Sequence, residues 1–210
     1  MRAVKLKICG ITNLDDALAA SAAGSDWLGF NFYEKSPRYL RPKFAAKIIA
    51  ELDDSVQTVG ILVKPTRDEI DTVITESGVS MLQIYEPQDF KDLSLFSLPT
   101  IICYRIKRQS RQMEYPMLNA NMILFDSYDK NVLGGSGKQF NWDLIPKSIE
   151  REKLVLAGGI TPQNISLALK SVSPAVIDVA SGAEKSPGIK DIKKIKKMAE
   201  EVKKYNENRI

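Results

Sequence analysis

Several side chains able to move protons or grip charge stand where short apolar runs of the 210-residue chain end. Val4, Leu6 and Ile8 alternate with Lys5 and Lys7, the period of a strand, and the run stops on Cys9 and Gly10. A thiol at a strand's carboxyl end, beside a helix start, has a physical reason to ionise more easily than usual. Free cysteine is also among the most buried residue types, so a base and an inert core thiol both remain open for Cys9. Asp126 closes the apolar run Asn121 to Phe125, either as a cap or as a general acid. Arg38 lies in the polar loop Tyr33 to Tyr39, Gln83 near the end of a fourth run, and Asp178 in the last one. Gly158-Gly159 and Ser181-Gly182 follow the last two runs. Glycine lets backbone N–H groups approach phosphate oxygens, and a helix start adds positive potential. Each pair taken singly is also an ordinary turn; their occurrence together favours phosphate.

The chain contains no histidine. That removes Ser-His-Asp and Cys-His pairs, His-ligated metals and imidazole shuttles, and leaves carboxylate, thiol, lysine or tyrosine for proton transfer. Cys9 and Cys103 each sit in an apolar run with no metal-ligand spacing, so neither a disulfide nor a zinc site is expected. Gly134-Gly135-Ser136-Gly137-Lys138 resembles half of a nucleotide-binding loop but lacks the first glycine and the Ser/Thr after lysine. A mobile loop over a pocket is the more economical reading, with a plain surface loop as the alternative.

Elements that would hold these residues recur along the chain. Strands are expected at Lys5 to Cys9, Trp27 to Phe32, Val56 to Val63, Met81 to Ile84, Thr100 to Arg105, Asn121 to Phe125, Lys153 to Ala157 and Ala175 to Val179. The later runs are almost wholly apolar, as parallel strands buried on both faces are. Between them, Thr12 and Asp15 have capping-box spacing, Pro42 opens a helix through Leu52, and Thr66-Arg67-Asp68-Glu69 caps another to Ser77. A weaker helix is expected over Lys107 to Leu118, a further one starting at Thr161-Pro162, and a last one at Ile192. Eight runs alternating with helices at about 26 residues each predict a (β/α)8 TIM barrel, one domain over residues 1–210. An open doubly wound sheet fits less well, since no Gly-x-Gly-x-x-Gly follows the first run.

The net charge of +4 is local. It matches the excess in the tail from Lys190, where Ile192, Ile195, Ala199 and Val202 recur at helical steps and leave the lysines outward. No aromatic or arginine cluster accompanies them, so no nucleic-acid or membrane partner is expected. No apolar run approaches a bilayer span, and the first ten residues carry Arg2, Lys5 and Lys7 instead of a signal-peptide core. The expectation is a cytoplasmic enzyme, monomeric, acting on a small phosphorylated molecule.

Lys7-Ile8-Cys9-Gly10-Ile11-Thr12, Gly29-Phe30-Asn31-Phe32-Tyr33 with Lys35-Ser36-Pro37-Arg38-Tyr39, Asp126 followed by Gly134 to Lys138, Leu156-Ala157-Gly158-Gly159 and Asp178 through Ser181-Gly182 together resemble the phosphoribosylanthranilate isomerase family of tryptophan biosynthesis. The resemblance runs in the family's order from the first strand to Gly188. It implies an Amadori rearrangement of N-(5-phosphoribosyl)anthranilate to the 1-deoxyribulose 5-phosphate aminoketose without metal or cofactor. It implies Asp126 as the acid that opens the furanose, Cys9 as the base that takes the C2′ proton, and Arg38 on the anthranilate carboxylate. It also implies Gln83 and Asp178 as substrate contacts, with the backbone at Gly158, Gly159, Ser181 and Gly182 around the phosphate. Where the family usually reads Gln-Leu-His-Gly, this chain has Gln83-Ile84-Tyr85-Glu86, a donor that cannot become cationic near neutral pH. A dual-substrate phosphoribosyl aminoaldose isomerase and a barrel that has lost catalysis and serves as a binding module are the alternatives. Indole-glycerol-phosphate synthase would need a catalytic lysine on the first strand. Lys7 shares the Cys9 face but lies two residues short of the strand end.

Overall fold

The computed structural model describes residues 3–87, 90–106, 115–127 and 140–208. Eight parallel strands close into a barrel in chain order. They are β1 (Lys5–Cys9), β2 (Trp27–Asn31), β3 (Gln57–Val63), β4 (Met81–Tyr85), β5 (Thr100–Ile106), β6 (Met122–Ser127), β7 (Leu154–Leu156) and β8 (Val176–Val179). Outside lie α1 (Leu14–Ala22), α2 (Pro42–Ile49), α3 (Arg67–Ser77), α4 (Ile165–Val172) and α5 (Ile192–Glu207). A small antiparallel pair, β9 (Glu184–Ser186) and β10 (Ile189–Lys190), follows the last barrel strand.

Strand period divides the apolar residues into two separate cores. Val59, Ile61, Ile101, Leu124, Val155 and Val176 point into the barrel. Their neighbours Leu62, Leu82, Ile102, Ile123, Phe125, Leu156 and Ile177 point outward against the helices, with Ile70, Leu169, Ile195 and Met198. That is why the runs read as continuous: each strand is buried on both faces. Polar residues inside are confined to a few positions, among them Lys7, Gln83, Asp126 and Asp178.

Local expectations held or failed for identifiable reasons. The Thr66/Glu69 capping box forms in both directions at the start of α3. At α1 the cap is Asn13, whose side chain accepts from Asp16 N–H at 2.8 Å. Thr12 instead donates to the Gly188 carbonyl at 2.6 Å, tying the β1–α1 turn to the β9–β10 hairpin. Thr161-Pro162 does not start a helix. Asn164 accepts from Thr161 N–H and donates to the Gly159 carbonyl, which makes residues 161–164 a turn and delays α4 to Ile165. The helix expected over Lys107 to Leu118 falls mainly outside the described residues, and Tyr115 to Leu118 are not helical. Gly134 to Lys138 also lie outside them.

Because the Thr66 hydroxyl satisfies an otherwise orphaned N–H of α3, Thr66→Ala should destabilise the fold by about 1 kcal/mol in urea unfolding. A change under about 0.3 kcal/mol would mean that water replaces the cap.

Candidate active site

At the carboxyl ends of the strands a cleft is lined by Cys9, Asn31, Arg38, Gln83, Tyr85, Asp126, Gly158, Gly159, Asp178 and Ser181, among others. Eight of the nine expected site residues therefore meet at one opening. Gly182 does not line it: a Cβ at that position would stand 1.9 Å from the Ile160 carbonyl oxygen, so Gly182 is where the β7–α4 and β8–β9 turns press together. Gly158 and Gly159 take positive φ, +88° and +65°. A Cβ on Gly158 would meet the Ser127 amide nitrogen at 2.6 Å. Gly158 is thus required by backbone approach and Gly159 favoured by its left-handed backbone, and the wall they form is bare main chain.

Asp126 is 4% exposed. One oxygen accepts from Ser127 N–H at 2.7 Å and the other from the Tyr85 hydroxyl at 3.2 Å. Burial pushes its carboxyl up to about 6. Asp178 adds to the rise, while the Ser127 and Tyr85 hydrogen bonds and Arg105 hold it back. Burial also pushes the Tyr85 phenol well above its ordinary range, so it remains a donor. Gln83 Nε2 reaches the same hydroxyl at 3.4 Å, and Gln83 Oε1 has no hydrogen-bond partner among the described residues.

Cys9 departs from expectation. Burial pushes its thiol up, not down; Lys7, Lys190 and Arg38 oppose the rise without cancelling it, and Asp178 adds to it. The helix that was to help begins only at Leu14, beyond a separate Asn13 cap. Desolvation at the barrel mouth therefore outweighs the nearby positive charge.

Beneath these groups lie two charge assemblies. Lys7 Nζ donates to Asp178 at 2.9 Å, both buried. Arg38 lays its Nε and Nη2 against the two oxygens of Glu184 at 2.8 and 2.7 Å. Lys190 Nζ donates to Glu184 at 2.8 Å and to the Cys9 carbonyl at 2.6 Å. The stem of Arg38 crosses over Gly10, where a Cβ would sit 2.4 Å from Arg38 Cδ; Gly10 has φ +79°. Glu184 and Lys190 were missed in the sequence. Their partners lie 146 and 181 residues away, so no local spacing marks them.

The raised Asp126 has a stability consequence. Between 3.8 and about 6 the unfolded carboxyl ionises while the folded one stays protonated, so stability falls as pH rises through that window and is flat above it. The total is about 3 kcal/mol. Asp126→Asn should therefore stabilise the fold by up to that amount at pH 8 and by little at pH 3.5, measured by urea unfolding. An equal effect at both pH values would remove the desolvated-carboxylate account.

The family model for N-(5'phosphoribosyl)anthranilate (PRA) isomerase matches residues 6–201. The N-(5'-phosphoribosyl)anthranilate isomerase of Pseudomonas fluorescens is 38% identical over 212 residues, covering 99% of this chain and 100% of its own. The crystal structure of phosphoribosyl anthranilate isomerase from Thermus thermophilus superposes with a TM-score of 0.83 at 29% identity, over 96% of this chain and 99% of that one. A phosphoribosyl anthranilate isomerase in complex with reduced 1-(o-carboxyphenylamino)-1-deoxyribulose 5-phosphate is similar at 31% identity and TM-score 0.75, over 96% and 99% of the two chains. With a match through all eight strands and a relative aligned end to end, the chain belongs to the N-(5'-phosphoribosyl)anthranilate isomerase family.

Proposed function

We propose that this barrel isomerises N-(5'-phosphoribosyl)anthranilate to the corresponding aminoketose with Asp126 as general acid and Cys9 as general base. The isomerase step of tryptophan biosynthesis follows from family membership; the residue roles are the proposal. Asp126 gives its proton to the furanose ring oxygen, the C1′–O bond breaks, and the nitrogen lone pair forms the iminium. Cys9 as thiolate then takes the C2′ proton. The resulting enolamine returns to the ketone as C1′ gains a proton and the C2′ hydroxyl loses one, so no proton or electron is gained overall. Every step is a proton transfer or a bond rearrangement, and none calls for a metal or redox cofactor.

The observation that carries the reading is the buried Asp126, raised to about 6, across the same cleft from Cys9. The reacting form needs Asp126 protonated while Cys9 is ionised, the reverse of their ordinary order. Lifting a carboxyl from 3.8 to about 6 enlarges that population roughly a hundredfold. Arg38 supports the aromatic end. Glu184 engages Nε and Nη2, which leaves the Nη1 end of the guanidinium as donor for the anthranilate carboxylate. Gln83 Oε1 and Asp178 are acceptors for sugar hydroxyls, and the bare backbone at Gly158, Gly159 and Ser181 suits phosphate, with Gly182 fixing the turn behind it. As part of the same proposal the chain works in the cytoplasm as a monomer. Among the described residues no helix is long and apolar enough to cross a membrane.

Steady-state kinetics test the assignment. The kcat/KM profile should be bell-shaped. Its alkaline limb reports loss of the Asp126 proton and its acid limb protonation of Cys9. Asp126→Asn should abolish the alkaline limb and Cys9→Ser the acid limb, each lowering kcat at least ~10²-fold. Near-parental kcat in either variant removes that residue from the mechanism. Arg38→Ala should weaken binding of the intact substrate by about 1.5 to 3 kcal/mol. A substrate analogue lacking the carboxylate should bind parent and variant alike. Equal losses for both ligands would refute the carboxylate grip.

A further inference from the structure

We propose that Lys7, sealed beneath Cys9 inside the barrel, is a positioning residue whose ammonium serves as counter-charge to the Cys9 sulfur when that sulfur acts as base. The inference rests on the reading of Cys9 as base. Lys7 is 0% exposed and can touch neither solvent nor the open cleft, where its side chain does not appear. The period of β1 sets it two residues before Cys9 on the same inward face. Gly29 stands opposite Cys9 in the β1–β2 register. A Cβ at Gly29 would lie 3.0 Å from Lys7 Nζ and 3.1 Å from Cys9 Sγ. Ammonium and sulfur thus border the same small gap, no more than about 6 Å apart, within the range where an opposite charge favours ionisation.

The other charges around the sulfur come from every side of the mouth: Asp178 from β8, Lys190 from β10 and Arg38 from the loop after β2. Cys103 on β5 and Asp178 face Lys7 as well, and Asp126 on β6 and Tyr85 on β4 stand across the cleft. Lys190 and Arg38 share the one carboxylate of Glu184, and Lys7 pairs with Asp178, so each of the three cations has an anionic partner. Of the cations bearing on Cys9, Lys7 has the largest effect, larger than the opposing effect of Asp178. Burial works against the Lys7 ammonium, but Asp178 and Cys9 together outweigh it and keep it protonated. Lys7 is accordingly a fixed charge and no proton carrier. Each unit by which the thiol rises without it thins the reacting form tenfold.

A merely structural lysine would hold β1 to β8 and leave the thiol's titration where it is. The experiment reads that titration directly, through the pH dependence of iodoacetamide labelling of the Cys9 peptide by mass spectrometry, beside the kcat/KM profile. Lys7→Met should move the labelling midpoint up by at least one pH unit and lower the kcat/KM plateau at least tenfold. The alkaline break of the profile should move up while the acid break, set by Asp126, stays. Asp178→Asn should move the labelling midpoint down. The double variant Lys7→Met/Asp178→Asn leaves no unpaired buried charge, so it keeps the test open if Lys7→Met fails to fold. Its midpoint should lie above that of Asp178→Asn. Identical midpoints for those two, or a rate loss in Lys7→Met with both breaks unmoved, would overturn the inference and leave Lys7 as a strand-to-strand tie. Parental kcat in Cys9→Ser would instead overturn the reading of Cys9 as base, and Lys7's part in the reaction with it.

Discussion

The barrel closes where β1 meets β8, and in that register Lys7 stands directly opposite Asp178. Their ion pair joins residues 171 positions apart and sits where solvent cannot screen it. Replacing such a pair with well-packed apolar residues is often neutral or stabilising, whereas removing one partner typically destabilises by about 3–5 kcal/mol. A lysine and an aspartate at the seam are therefore an inefficient way to hold two strands together. Their value lies in what the seam fixes nearby: Cys9 two residues on from Lys7, and the turn with Ser181 three residues on from Asp178. The closure of the sheet and the placement of charge at its mouth are one arrangement.

Desolvation governs the rest of the site and acts in both directions. Burial raises Asp126 to about 6, which suits an acid that must hold its proton near neutrality, and it also raises Cys9, which does not suit a base. Burial at one shared mouth cannot help both groups. The chain answers with unequal surroundings: Asp126 faces a neutral phenol and a backbone N–H, while Cys9 has three cations within reach. Two of those cations share Glu184, which also orients Arg38. The hairpin β9–β10 thereby ties Arg38 to the end of β1 at Cys9.

The architecture was legible because parallel strands buried on both faces leave near-continuous apolar runs, and because Thr66 with Glu69 and Pro42 carry cap chemistry in their own neighbourhoods. Cys9, Gln83, Asp126 and Asp178, read from the strand ends, and Arg38, read from the loop after β2, line one cleft. Two kinds of fact were not legible. Thr12 and Thr161 look like caps, but each is drawn into a longer-range or alternative turn, by Gly188 in one case and Asn164 in the other. Glu184 and Lys190 acquire meaning only after the chain has closed. The direction of the Cys9 shift was misread for a related reason: a helix start can be seen in sequence, whereas the depth of burial that opposes it cannot.

Tyr85 occupies the position where the family usually carries histidine, and its surroundings account for how the chain accommodates the change. Its hydroxyl lies between Gln83 and Asp126 and donates to the latter. A neutral donor stabilises the ionised carboxylate by about 1.5–3 kcal/mol, the range for a hydrogen bond to a charged group, and brings no net charge of its own. An imidazolium in the same place would add a full positive charge a few ångströms away and hold the carboxyl down much further. With no histidine anywhere in the chain, nothing near Asp126 can switch to that cationic state as pH falls. Arg105, already joined to Glu86, is a cation that bears on Asp126. Tyrosine thus fixes the carboxyl in place while leaving the effect of burial largely intact, so Asp126 keeps its proton at a pH where an ordinary aspartate would have lost it.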